Sequence, residues 1–271
     1  VMDWQDDGRR IKNYRNEDGS LRSRPQNTAF LFKEGVTWGK VGTGIASFRW
    51  RPSGFGFNDA APAIFGTNVF DLLPYLNSKV TQKLLSARGM TTNNTTGVIG
   101  ELPIKEMDST YVNQIAKQCV VIAENDWNSF ETSWEFQKHP VISKNIKALT
   151  TAESFKAWEK HCGLNISTMK NLEEENNKLL IEAYDLEDEL SPEVLEEQIT
   201  LTGADRVEDT KSLISYSIGC MMGRYSLDQP GLIYAQSCNQ NFDETFYLKF
   251  TADEDGILPL LDMDWEFEDD I

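Results

Sequence analysis

Val36-Thr37-Trp38-Gly39-Lys40-Val41, followed by Ile45-Ala46-Ser47-Phe48-Arg49-Trp50-Arg51, decides the fold class of this chain. Both stretches alternate with a period of two, the pattern of a half-buried strand rather than a helix. In the second, Phe48 and Trp50 fall on one face and Ser47, Arg49 and Arg51 on the other, because successive strand side chains point to opposite sides. Trp38 and Trp50 read as core. Seven glycines between residues 35 and 66 (Gly35, Gly39, Gly42, Gly44, Gly54, Gly56 and Gly66) suit tight hairpins or a close backbone approach to a ligand. Ala29-Phe30-Leu31-Phe32-Lys33 reads as a further strand, and residues 1–28 as extended loop with a turn near Asp18-Gly19.

Downstream, the spacing of Leu72, Leu73, Leu76, Val80 and Leu84 predicts one helix over about 71–87, with Asp71 as N-cap and Pro74 in its first turn. Val98–Ile104 reads as a closing strand. The character then changes. Val112, Ile115, Ala116, Cys119, Val120 and Ala123 form a helical stripe starting near Ser109 or Thr110. The aromatic run 127–136 is expected to dock the helices onto the first domain. Thr150 and Glu153 fit a capping box for a helix through Cys162. Met169, Leu172, Asn176, Leu179, Ala183 and Leu186 form a short coiled-coil-like seam with one polar position. A further helical turn is expected from Ser191-Pro192-Glu193. Asp209 is the expected cap of a last helix, with Leu213, Ile214, Ile218, Met221, Met222 and Tyr225 as its apolar stripe. The fold class is α+β: a mixed domain with short strands over 1–107, a helical spacer over 108–200, and a C-terminal helical region with an acidic tail over 201–271.

Composition narrows the function classes. No stretch approaches the roughly 18 apolar residues of a membrane span. The start, Val1-Met2-Asp3-Trp4, has neither the basic nor the apolar part of a signal peptide, and reads as cut from a longer protein. The four cysteines lack zinc spacing and read as reduced thiols of a cytoplasmic protein. The net charge of −17 hides an asymmetry. Residues 1–104 hold 13 Lys+Arg and 9 Asp+Glu, net +4, whereas the remainder holds 13 and 34, net −21. Such a split suggests a basic recognition surface on an acidic scaffold.

No catalytic motif is legible. Gly42-Thr43-Gly44 and Gly54-Phe55-Gly56 lack the strand–loop–helix context of a nucleotide fingerprint. There is no polar-Pro-Pro-aromatic tetrapeptide to hold a flipped base, no P-loop and no metal-ligand cluster.

The stretches Phe32–Trp38, Phe48-Arg49, Gly54-Phe55-Gly56-Phe57, Leu76–Val80 and Gly97–Ile104 resemble, in that order, a target-recognition domain of enzymes that carry recognition and methylation on one chain. Glu124–Glu131, Glu175–Lys178, Ile181–Tyr184, Asp188–Glu193 and the long run Ile214–Asp228 extend the likeness over most of the chain. The chain is thereby similar to the PglX-type adenine-specific DNA methyltransferases of bacteriophage-exclusion (BREX) systems. The loop 89–97 departs from the family's usual form, which is richer in Pro and Phe. The resemblance implies a parent enzyme whose S-adenosylmethionine-binding, methyl-transferring domain precedes residue 1, so this chain is expected to hold no cofactor and no catalytic residue. Expected partners are double-stranded DNA, the missing methyltransferase domain and other defence-system subunits. Arg22, Arg24, Lys33 and Lys40 are the expected phosphate contacts. Arg49 and Arg51 are expected at guanine edges, Asn93 or Asn94 at adenine, and Thr37 and Ser47 as further contacts. The alternatives are a protein-interaction scaffold without DNA contact, or a nuclease fragment.

Overall fold

The computed structural model describes residues 3–23, 25–42, 46–66, 68–88, 94–105, 110–235 and 242–249. They form an α+β fold of seven α-helices and one three-stranded antiparallel sheet. They divide into two compact units, Val1–Ala116 with Asn176–Pro192, and Lys117–Glu175 with Glu193–Ile271.

In the first unit, β1 (Gly35–Trp38) lies between β2 (Phe48–Arg51) and β3 (Ala63–Ile64). Val36 faces Trp50 and Trp38 faces Phe48 across the β1–β2 pair, so the four apolar side chains share one face. Val36, Trp38 and Phe48 are buried, and α2 (Val69–Leu76) packs against β1 and β2. The Trp38 indole N–H donates to the Asn94 carbonyl at 2.7 Å.

The expected single helix over 71–87 is two, α2 and α3 (Lys79–Ala87), because polar side chains satisfy the backbone at the break. Asn68, not Asp71, caps α2, and Ser78 caps α3. The Asn77 side chain accepts from the Phe48 amide (3.0 Å) and donates to the Phe48 carbonyl (2.9 Å). Asn177 accepts from the Lys79 amide (3.0 Å), and Asn176 donates to the Pro74 carbonyl (2.9 Å). These bonds supply partners to helix-end groups that α2 and α3 leave free. The polar position in the expected seam is therefore a helix-end clamp. Leu180 and Ile181 are fully buried there, whereas Leu172 and Leu179 are only half-buried.

Three further expectations are corrected. Residues 29–33 do not form a strand: a 3-10 turn over Thr28–Phe30, with Asn27 and Phe32 at positive φ, reverses the chain. Residues 98–104 contain no strand either. The flank of β1 away from β2 is taken by β3, and α4 (Thr96–Gly100) turns Ile99 and Leu102 inward. Residues 1–28 include the helical segment α1 (Gln5–Lys12) besides the expected turn, where the Asp18 carboxylate accepts from the Ser20 amide at 2.9 Å.

Gly35 sits where β3 crosses closely. A Cβ there would stand 2.4 Å from the Ile64 carbonyl oxygen. Alanine normally stabilises a strand by about 0.5–1 kcal/mol relative to glycine, whereas forced overpacking costs about 1–3 kcal/mol. The clash involves backbone and wins, so Gly35→Ala is expected to lower stability by about 2 kcal/mol, read as a shift in the denaturation midpoint. An unchanged or raised midpoint would show that β3 moves aside freely.

The second unit is built on α5 (Thr110–Trp127), α6 (Thr151–Ala183) and α7 (Arg206–Met221), although the start of α5 and the end of α6 belong to the first. The Thr150–Glu153 capping box forms, each side chain accepting from the other's amide at 3.2 Å. From it α6 runs unbroken where two helices were expected. Residues 191–195 are non-helical, and only a 3-10 turn at Glu196–Gln198 follows. Phe136, from the aromatic run, is buried with Tyr216, Cys220, Tyr225 and Tyr247 inside this unit, while Trp127 and Trp134 are exposed. Asp205, not Asp209, caps α7, accepting from the Val207 and Glu208 amides. Asp209 lies one turn further, buried, where it accepts from the Trp158 indole at 3.2 Å. The buried side of α7 is therefore Asp209, Tyr216, Gly219 and Cys220, leaving Ile214, Ile218 and Met222 of the expected stripe exposed. Burial pushes the Cys119 and Cys162 thiols up to about 12, so neither is a nucleophile at neutral pH.

His139 is buried beside the Tyr216 ring, and burial lowers its pKa to about 4. The unfolded chain, with an ordinary histidine near 6.5, then binds more protons than the native state between those values. Stability is thus full above about pH 6.5 and falls as pH drops toward 4, by about 3 kcal/mol across the window. Denaturant midpoints measured at pH 7.5 and pH 5 check this. His139→Gln is expected to flatten the slope, and an equally steep slope in that variant would assign it to other groups.

Candidate nucleic-acid interface

The expected contact residues have three different fates. Arg49 and Ser47 are exposed, and Arg49 forms no ion pair among the described residues. Lys33 is also exposed, its ammonium 5.3 Å from the Phe30 ring centre. Exposed Arg22 donates to the Tyr14 hydroxyl at 3.1 Å and lies over the same ring. These side chains keep donors directed at solvent.

Lys40, Thr37, Asn94 and Arg51 are engaged internally. Lys40 pairs with the Asp59 carboxylate at 2.7 Å. Thr37 donates its hydroxyl to the Pro62 carbonyl at 2.8 Å. Asn94 is nearly buried, and its backbone joins Lys40 (amide to carbonyl, 2.8 Å) to the Trp38 indole. Its place is structural, contrary to the expectation of an adenine contact. Arg24 and Asn93 lie outside the described residues.

Arg51 is the largest departure. It was expected to face outward with Arg49, yet only 7% of it is accessible. Its guanidinium donates to the Lys33 carbonyl at 2.7 Å and to the Phe55 carbonyl, and lies 5.7 and 5.1 Å from the Phe57 and Phe65 ring centres. The strand period is intact: Arg49 and Arg51 do share a face. That face is covered only at the Arg51 end, by the reversal at 27–33, the turn after β2 and Phe65. Arg51 thus holds Lys33 and the turn together, and Arg49 stands opposite Thr37 in the β1–β2 register. No contact joins Arg22 to this group among the described residues.

The sequence reading overlooked Phe55 and Phe30, which are 53% and 42% exposed. The available signal was Gly54-Phe55-Gly56, a large apolar side chain in a turn where no strand or helix period asks for one. The same turn leads from β2 to β3, which flank β1 on opposite sides, with no helix between them, so it lacks the strand–loop–helix form of a cradle for the adenosyl cofactor. Among the described residues no three His, Cys, Asp or Glu side chains are grouped to hold a metal, and no helix is long and apolar enough to cross a membrane.

Over its whole length the chain aligns, at 33% identity over 277 residues, with the adenine-specific methyltransferase PglX of Lacticaseibacillus casei. The chain is similar, over its whole length, to a part of PglX-type methyltransferases. The adenine-specific methyltransferase BrxX of Escherichia coli matches 99% of the chain, also at 33% identity. The chain spans only 23% and 24% of the length of these two relatives. No family model matches it. Both compact units lie inside the matched region.

Proposed function

We propose that residues 1–107 are the part of a PglX-type methyltransferase that reads duplex DNA, and that 108–271 form a helical spacer and scaffold coupling this reader to the rest of the polypeptide. The parent activity is methyl transfer from S-adenosylmethionine to adenine N6 in cytoplasmic phage defence, with the cofactor held by residues outside this chain. The carrying observation is Arg49: an exposed guanidinium on a sheet strand, without a carboxylate partner among the described residues, two residues from an arginine that the core consumes. Arginine has the planar fork that takes guanine O6 and N7 together. Lys33 and Arg22 supply the charge that positions a duplex without reading it.

The test is equilibrium binding of the full-length enzyme to a labelled duplex between 50 and 200 mM salt, roughly the range over which phosphate contacts weaken most visibly. Affinity is expected to fall steeply, and Lys33→Ala to reduce the salt slope by about 1. Salt-independent binding, or a Lys33 variant with an unchanged slope, would remove Lys33 from the phosphate contacts. One observation favours a scaffold reading for the second unit. Val207, Ile214, Ile218 and Met222, spaced seven and four residues apart on α7, are all about half exposed or more, as a helix face awaiting a partner would be.

A further inference from the structure

The turn after β2 is braced more heavily than a connecting loop requires. The Phe55 carbonyl accepts from both the Arg51 guanidinium and the Phe32 amide (3.2 Å), and the Gly54 amide donates to the Phe32 carbonyl at 2.9 Å. Phe32 itself has φ of 63°, an unfavourable region for a bulky residue, and Gly54 has φ of 96°. Such strain persists only where the surroundings over-determine it, and it concentrates at working sites.

The brace fixes a backbone whose side chain packs on nothing comparable. Phe55 is 53% exposed, and no other ring stacks on it among the described residues. Glycines on both sides remove the neighbouring Cβ atoms, so the ring stands clear as a thin protrusion. The carbonyl of exposed Lys33 is tied to the same arginine, and exposed Arg49 lies two residues before that arginine on the same face of β2. A rigid, narrow, apolar blade beside cations matches one ligand chemistry well: the stacked bases of a duplex, about 3.4 Å apart, into which proteins insert phenylalanine to unstack a step. An enzyme that works on an adenine ring must take that base out of the stack, and extrusion is cheaper where the step is already opened.

We propose that Phe55 is a DNA-intercalating positioning residue, a wedge that enters the base stack at or beside the target adenine. This rests on the DNA-reading role proposed for residues 1–107. The wedge acts on the duplex and does not touch the reacting atoms.

The experiment uses the full-length enzyme and two labelled duplexes carrying its methylation motif, taken from the methylated positions of host DNA. One is fully paired, and the other has a mismatch opposite the target adenine. Phe55→Ala is expected to weaken binding about tenfold on the paired duplex and less than twofold on the mismatched one, where the wedge's work is already done. Phe55→Leu is expected to fall between. Unchanged thermal unfolding confirms the fold, since the brace uses only main-chain groups of residue 55. Equal losses on both duplexes, as for an ordinary apolar contact, overturn the proposal, and so does no loss on either. If Arg49→Ala weakens binding and Phe55→Ala does not, the wedge alone fails. If wild type binds both duplexes without salt dependence and neither variant changes it, the DNA-reading role fails with it.

Discussion

Arg51→Ala is expected to destabilise the first unit by about 3 kcal/mol. Removing the guanidinium leaves the part-buried Lys33 carbonyl without this donor and the Phe55 carbonyl with only the Phe32 amide. Hydrogen bonds to a charged group contribute about 1.5–3 kcal/mol each, and an acceptor left buried without a donor bears its full desolvation cost. The truncation also opens a space beside the Phe57 and Phe65 rings, which adds a cavity cost. Relaxation of the exposed turn offsets part of the sum, so the figure is held near the lower bond energies. A lysine retains the charge but not the fork that reaches two carbonyls at once, so Arg51→Lys is expected to recover less than half. Denaturant unfolding monitored through Trp38 fluorescence is the measurement. A loss below about 1 kcal/mol would mean that the turn and the 27–33 reversal hold each other without the arginine.

Arg49→Ala is expected to do the opposite. Exposed and free of an ion pair among the described residues, Arg49 should alter stability by no more than about 0.5 kcal/mol. Loss of a bidentate base contact costs about 1–3 kcal/mol of binding, equivalent to a five- to 150-fold weaker Kd for the preferred sequence. Binding to random duplex should change far less, because the phosphate contacts remain. The comparison is made with the full-length enzyme at one fixed salt concentration. Equal weakening on preferred and random duplexes would assign Arg49 to phosphate, and no weakening on either would remove it from the interface.

Much of the architecture was legible because it follows local rules. The period-two patterns of 36–41 and 45–51 became β1 and β2, the stripe from Val112 became α5, and the Thr150–Glu153 box began α6 where expected. The misreadings share a cause. Ala29–Lys33 and Val98–Ile104 have strand-like composition, but one is reversed by two residues at positive φ and the other finds the sheet position next to β1 already taken. The helix over 71–87 broke because Asn176 and Asn177, about a hundred residues away, supply partners to its interrupted backbone. A stop signal provided by a distant helix leaves no mark in the local pattern.

The candidate interface divides in the same way. Alternation alone determined that Arg49 and Arg51 lie on one face of β2, opposite Phe48 and Trp50, and the charge split alone showed that the first hundred residues carry a net positive charge. Only the tertiary structure decided that one arginine meets solvent while the other becomes core. The physical reason is that burial depends on what crosses a strand, and here two loops and Phe65 close over the end of β2 and stop short of its middle. Composition could not reveal that Phe55 is held outward, because its exposure is enforced by hydrogen bonds to an arginine and a phenylalanine that the fold alone brings together.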